Sequence, residues 1–336
     1  MTDIDTGSLS FENEIVKGSG KNYKPDAKFA GEILKILDKK IVGQELAKQQ
    51  LSLLISMFLN WDHKKSPRHA PPNAMVIGPS GSGKTFSFEV IEEELDLPSL
   101  IIDATTLSPN GAREGTNVGS IPNLAIKHAS GSDRCIVFLD EFDKLTSRPH
   151  VDRNAYWKED IQRGLLKVIE GQSNTSPADQ GNKRVPKMYF ALGGAFTDIS
   201  KQDKHRSPET NRMLRNAPRD TIVAEDFINF GFIRELVARI PAQIKYEALP
   251  FDFLVDILKH PVSSPLIVWK NHFENIGKSV TFTEDFYQKV AKRAFDFGLG
   301  ARGLQQVVFA SISARAFKYE GSKDDKIVID ADLLQY

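Results

Sequence analysis

AMVIGPSGSGKTFSFEVIEEEL, residues 74–95, joins a short apolar run to a glycine-rich loop and then to a segment of helical composition. AMVI (74–77) is continuous and apolar, as a strand buried on both faces must be. GPSGSGKT (78–85) fits the pattern G-x-x-x-x-G-K-[ST]. It lies between the predicted strand and a helix starting near Lys84, the context in which that pattern carries chemistry. Its glycines let successive backbone N–H groups turn inward around an anion, and the helix start adds its positive end. Pro79, Ser80, Gly81, Ser82, Gly83, Lys84 and Thr85 are therefore candidates to surround phosphates. Lys84 is expected to reach the β- and γ-phosphates, and the Thr85 hydroxyl to ligate Mg²⁺. The alternative is a glycine turn that happens to contain Lys-Thr; the flanking strand and helix weigh against it. The stretch predicts a nucleotide site, with ATP and Mg²⁺ as its ligands.

Outward from that loop, apolar strands alternate with helices. LIID (100–103), CIVFLD (135–140) and MYFAL (188–192) are strand candidates, and a helix carrying Ile161, Leu165, Leu166 and Ile169 precedes the last. Such alternation predicts an α/β fold, a parallel sheet covered by helices on both faces. Upstream, Ile33, Leu34 and Leu37 line one helical face, and Ala47, Leu51, Leu54, Ile55 and Phe58 line another after Gly43. HKKSPRHAPPN (63–73) reads as a basic, proline-broken linker. Beyond Ile240-Pro241 the pattern turns mainly helical, with short strands such as VTFT (280–283) and KIVID (326–330). The expected organisation is a polar arm over 1–27, a large α/β domain over 28–245 and a smaller, mainly helical lid over 246–336.

Composition narrows the partners. Lys plus Arg and Asp plus Glu each number 44, so no global field draws the chain to nucleic acid, which is not the favoured partner, or to an anionic membrane. The basic segments His63 to Arg68 and Lys201 to Arg219 read as solvated loops. No run approaches the roughly 18 apolar residues of a membrane span. The start, MTDIDTGSLSFENE, lacks the basic and apolar regions of a signal peptide. The lone Cys135, within an apolar run, fits buried packing in a reducing compartment. A cytoplasmic location is expected.

CIVFLDEFDKL (135–145) ends an apolar strand in two adjacent carboxylates, at the edge where α/β sheets bind ligands. Asp140 suits a metal-organising role and Glu141 the polarisation of an attacking water. A strand ending in two acids is commonplace alone; it becomes specific when paired with the loop at 78–85. Asp143 reads as a helix cap or surface acid.

At these residues the chain resembles the AAA+ ATPases, and within them the ClpX/HslU type of protein unfoldase, over nearly all of 35–336. LDKKIVGQELAKQQL (37–51), DATTL (103–107), LLKVIEG (165–171), GGAF (193–196), FGFIRELVARIP (230–241) and LGARGLQQVV (299–308) are similar to segments of that family. The resemblance implies that Ile41 and Val42 flank the adenine. It implies that Arg239 is an arginine finger reaching a neighbouring subunit's γ-phosphate, so that activity needs a ring, typically a homo-hexamer. It also implies that Arg302 is the lid's sensor of nucleotide. No polar residue near 192–196 suits the family's other sensor position.

Three departures bear on function. A single cysteine does not supply the ligands of the family's zinc domain, so adaptor binding through such a domain is not expected. TDISKQDKHRSPETNRMLRNAPRD (197–220) lacks the Ile-Gly-Phe tripeptide of the peptidase-docking loop, so association with a ClpP-type peptidase is not expected. In NGAREGTNVGS (110–120), Ala112, Arg113 and Glu114 stand where the family's pore loop carries an aromatic grip. Tyr156 and Trp157 resemble a second pore loop, with a packing pair at a helix entry as the alternative. The expectation is a ring ATPase that remodels a specific protein partner. The alternatives are an ATP-controlled scaffold or switch and a DNA-remodelling ring.

Overall fold

The computed structural model describes residues 29–331 apart from 63, 67–68, 113–114, 148–153, 172–184, 216, 219–220 and 323–324. Five strands build the main sheet: β1 (Ala74–Ile77), β2 (Ser99–Asp103), β5 (Arg134–Asp140), β6 (Lys187–Gly194) and β7 (Ala242–Lys245). Their spatial order is β2-β5-β6-β1-β7, and every neighbouring pair is parallel. β1 is buried throughout, and so is β5 up to its last residue, Asp140. That is why both read as unbroken apolar runs rather than alternating ones.

Alternate residues of each strand feed opposite faces. Met75, Ile77, Val137, Leu139, Phe190 and Leu192 join one core with side chains from α4 (Ile121–Ala129), α5 (Ala155–Ile169), α7 (Ala224–Phe230) and α8 (Arg234–Ala238). Ala74, Val76, Ile136, Phe138, Tyr189 and Ala191 join the other core, against α1 (Ala30–Asp38), α2 (Glu45–Asn60) and α3 (Lys84–Leu95). β7 has no counterpart among the apolar runs of the sequence. Only Ile244 of its four residues is buried, because it lies at the sheet edge.

A third hydrophobic cluster runs from Leu249 to Ile329. It is built on α9 (Phe251–Lys259), α10 (Ile267–Asn275), α11 (Glu284–Asp296) and α12 (Ala301–Glu320), with β8 (Ser279–Phe282) and β9 (Lys326–Ile329) forming a separate parallel pair. No helix among the described residues is long and apolar enough to cross a membrane.

Two segments expected to be plain loops are organised. Around 110–120, β3 (Leu107–Ser108) pairs in parallel with β4 (Thr116–Asn117) and closes the loop at its base. The Asn117 amide donates to the Pro109 carbonyl at 3.2 Å, and the Gly119 N–H donates to Asn110 Oδ1 at 2.9 Å. Arg113 and Glu114 lie outside the described residues. The 197–220 segment contains a 3₁₀ turn (Ile199–His205) and α6 (Pro208–Met213). Arg206 anchors it through two 2.6 Å bonds to the buried carboxylate of Asp226 on α7.

Candidate active site

β1 ends at Ile77 and α3 begins at Lys84; the loop between them leaves the carboxyl end of β1. A cleft of about 560 Å³ opens there. That size lies within the roughly 300–1,000 Å³ typical of small-molecule sites. Ile41, Val42, Ser80, Gly81, Ser82, Gly83, Lys84, Thr85, Asp140, Glu141 and Arg302 all line it. Sequence positions spread over 260 residues thus converge on one cavity. Pro79 does not line the cleft but contributes its carbonyl to Lys84.

The Lys84 ammonium is almost buried and donates to the carbonyls of Gly78 (2.6 Å) and Pro79 (2.8 Å). Burial pushes its pKa down; the charge of Asp140 pulls it back up, and that of Arg302 opposes it again. The Thr85 hydroxyl donates to Asp140 Oδ2 at 2.5 Å, joining the start of α3 to the end of β5. Glu141 follows in the left-handed region (φ 54) with its side chain exposed, and its N–H donates to Asp140 Oδ1 at 2.8 Å. A non-glycine residue there is uncommon and clusters at functional sites.

Leu249, Ala301, Arg302 and Gln305 supply the opposite wall. Gly300 and Gly81 meet backbone to backbone: a Cβ on Gly81 would fall 2.3 Å from the Leu299 carbonyl oxygen, and one on Gly300 2.8 Å from that of Gly81. Both glycines have positive φ, so the contact needs glycine twice over. The Ala301 N–H donates to the Gly81 carbonyl at 3.0 Å, and Arg302 Nη1 to the Ser80 hydroxyl at 3.1 Å. Two helix N-termini, those of α3 and α12, therefore face the same cavity.

Asp143 corrects the sequence reading. It is neither cap nor surface acid but a buried cleft residue, 8% exposed, packed so closely on Gly194 that a Cβ there would lie 2.6 Å from Oδ1. The 3₁₀ turn Phe142–Leu145 sends Phe142 and Leu145 into the core and leaves Asp143 beneath the sheet edge. Gly194 and Ala195 bring no polar side chain to the cleft.

The residues fit a nucleotide with Mg²⁺. The Ser82 hydroxyl is buried without a partner in the loop, and no atom lies within 4 Å of where a Gly83 Cβ would stand. No cluster of three or more His, Cys, Asp or Glu suited to a metal occurs among the described residues. Thr85 and Asp140 supply hard oxygens side by side, as suits an ion that takes few protein ligands and completes its shell with phosphate and water.

Other predicted residues lie elsewhere. Arg239 caps the end of α8 outside the cleft, with Nη2 2.6 Å from Glu170 Oε1 and more than half its side chain exposed. Tyr156 and Trp157, on the first turn of α5, are 78% and 49% exposed. Ala112 stands in a turn, its N–H donating to Pro109. The sequence reading missed Gln44, whose carboxamide bonds to the phosphate loop. Its only signal was Gly43-Gln44 ahead of the second helical face.

Comparison with known proteins gives a concordant picture. Residues 71–243 match the family model described as AAA domain (Cdc48 subfamily). The chain is 29% identical over 298 residues to the ATP-binding subunit ClpX 2 of the ATP-dependent Clp protease of Wolinella succinogenes, covering 82% of this chain and 74% of that one. It is 28% identical over 329 residues to the ClpX subunit of Porphyromonas gingivalis (89% and 80%) and 29% over 331 residues to that of Bacteroides thetaiotaomicron (89% and 80%).

Proposed function

The chain belongs to the AAA+ ATPases and is an ATP hydrolase of ClpX-like type, and from that premise we propose that it works as a homo-oligomeric ring, typically a hexamer, remodelling a specific protein partner. One observation carries the ring: Arg239 is exposed and outside its own chain's cleft, so the site gains that cation only from a second copy. A planar guanidinium suits charge spread over a transferring phosphoryl group.

Within the site, Lys84 gives up its loop carbonyls to neutralise the β- and γ-phosphates. Thr85 and Asp140 would hold Mg²⁺, which would supply further charge neutralisation. Glu141 orients the attacking water and accepts its proton. Ile41 and Val42 flank the base. Arg302, entering from the lid beside Ser80, senses the phosphates, and the lid swings about the connector near 246–249 as they come and go.

Tyr156 and Trp157 are the aromatics available to grip a polypeptide in the ring's pore, and Ala112, Arg113 and Glu114 form a second, charge-selective contact. The helices of 197–220, without an Ile-Gly-Phe tripeptide, support action independent of a ClpP-type peptidase. The 110–120 loop, tied at its base and without an aromatic in its sequence, supports a second reading: a ring that recruits its partner without threading it. Denatured casein separates the two. Remodelling predicts that casein stimulates ATP turnover and that a Tyr156→Ala, Trp157→Ala double variant loses the stimulation while keeping its nucleotide affinity. Turnover indifferent to casein, or stimulated equally in the double variant, contradicts remodelling through these aromatics.

A further inference from the structure

Besides the contact at Gly81 and Gly300, residues 40–44 and 246–249 lie between the α/β body and the C-terminal helices, and one side chain spans these two segments. Gln44 Nε2 donates to the carbonyl of Ser82 in the phosphate loop at 3.2 Å and to that of Glu247 at 2.8 Å. The Glu247 N–H donates back to Gln44 Oε1 at 2.9 Å. Both ends of one carboxamide are thus engaged, with a partner in the phosphate loop and two backbone groups of the connector.

The surrounding geometry holds Gln44 in place. Its backbone stands in the left-handed region (φ 60), uncommon for a residue of this type. Gly43, also left-handed at φ 68, approaches α9 so closely that a Cβ would lie 2.5 Å from the Phe253 ring. Ser263 of the lid donates its hydroxyl to the Lys40 carbonyl. On the connector side, the Tyr246 N–H donates to Ile77 at 2.7 Å and its hydroxyl to Ser87 of α3 at 2.8 Å. Both faces of the connector are therefore attached to elements that frame the phosphates.

We propose that Gln44 is a positioning residue that ties the phosphate loop to the interdomain connector, so that a shift of the loop on phosphate binding or release is passed to the lid. This rests on the lid swing proposed above and identifies the side chain that transmits it. A hydrogen-bonded link of this kind acts on the response to nucleotide more than on affinity, since none of its three bonds is to the ligand.

The test uses the full chain with Lys127→Cys on α4 and Lys318→Cys on α12 carrying a fluorophore pair; the native Cys135 is buried. Energy transfer is read without nucleotide and with a saturating non-hydrolysable ATP analogue plus Mg²⁺. The parent is expected to change its transfer on binding. Gln44→Met keeps the side-chain length but none of the bonds. It should bind the analogue within about threefold of the parent, lose most of the transfer change, and turn over about tenfold more slowly at saturation with KM little altered. Gln44→Glu, which keeps only the acceptor for Glu247, should also blunt the change. An undiminished transfer change in either variant overturns the proposal. Loss of analogue binding by both overturns it too, since Gln44 would then belong to the binding site rather than to a link. A parent that shows no transfer change refutes the lid swing itself.

Discussion

Tyr246 is buried, with its hydroxyl held by Ser87 at 2.8 Å, and burial pushes its pKa up to about 12. An unfolded tyrosine titrates near 10. The folded state therefore favours the neutral phenol, and this contribution is complete below about pH 10 and lost as pH rises toward 12, at about 1.4 kcal/mol per pH unit. Tyr246→Phe should cost about 1 kcal/mol at neutral pH and flatten that alkaline loss. Denaturant midpoints of parent and variant at pH 8 and 11 check it; parallel losses would contradict it. The same scale shows what single residues disclose in sequence. Lys84, Thr85 and Asp140 were legible because phosphate and metal chemistry demands those types at that spacing. Gln44 and Asp143 were not, because a carboxamide or carboxylate acquires its role only from what the fold lays beside it. Gln44 bonds to Glu247, 203 positions away.

At the scale of elements, α5 carries the contact that braces the 110–120 loop. A Cβ on Gly164 would lie 2.4 Å from Val118 Cγ1, at the foot of that loop. Helix propensity alone makes Gly164→Ala stabilising by about 1 kcal/mol. Overpacking predicts the opposite sign, a loss of about 1–3 kcal/mol, with faster amide exchange over 116–120. Chemical denaturation with exchange mass spectrometry decides, and a stabilised variant would contradict the packing described here. The buried strands β1, β5 and β6 were readable as apolar runs, since burial on both faces leaves no polar positions. β7 was not: an edge strand with one buried residue looks like connector. β3 and β4 were also hidden, because two-residue pairs held by Asn110 and Asn117 leave no periodicity to find.

The whole molecule presents a cleft that gathers candidates from both ends of the chain, while Arg239 faces away, paired with Glu170. In the proposed ring, an active site divided between subunits would make hydrolysis a property of the assembly. No composition or spacing in one chain reveals that division, which enters the sequence reading only through resemblance. The most direct measurement is complementation between two inactive proteins. Glu141→Gln and Arg239→Ala should each bind ATP and each lack turnover. Mixed in equal amounts and allowed to exchange subunits, they should regain activity, because about a quarter of ring interfaces then pair an intact Glu141 with a neighbour's intact Arg239. A mixture as inactive as its components, in particles shown to contain both variants, would contradict a site completed in trans.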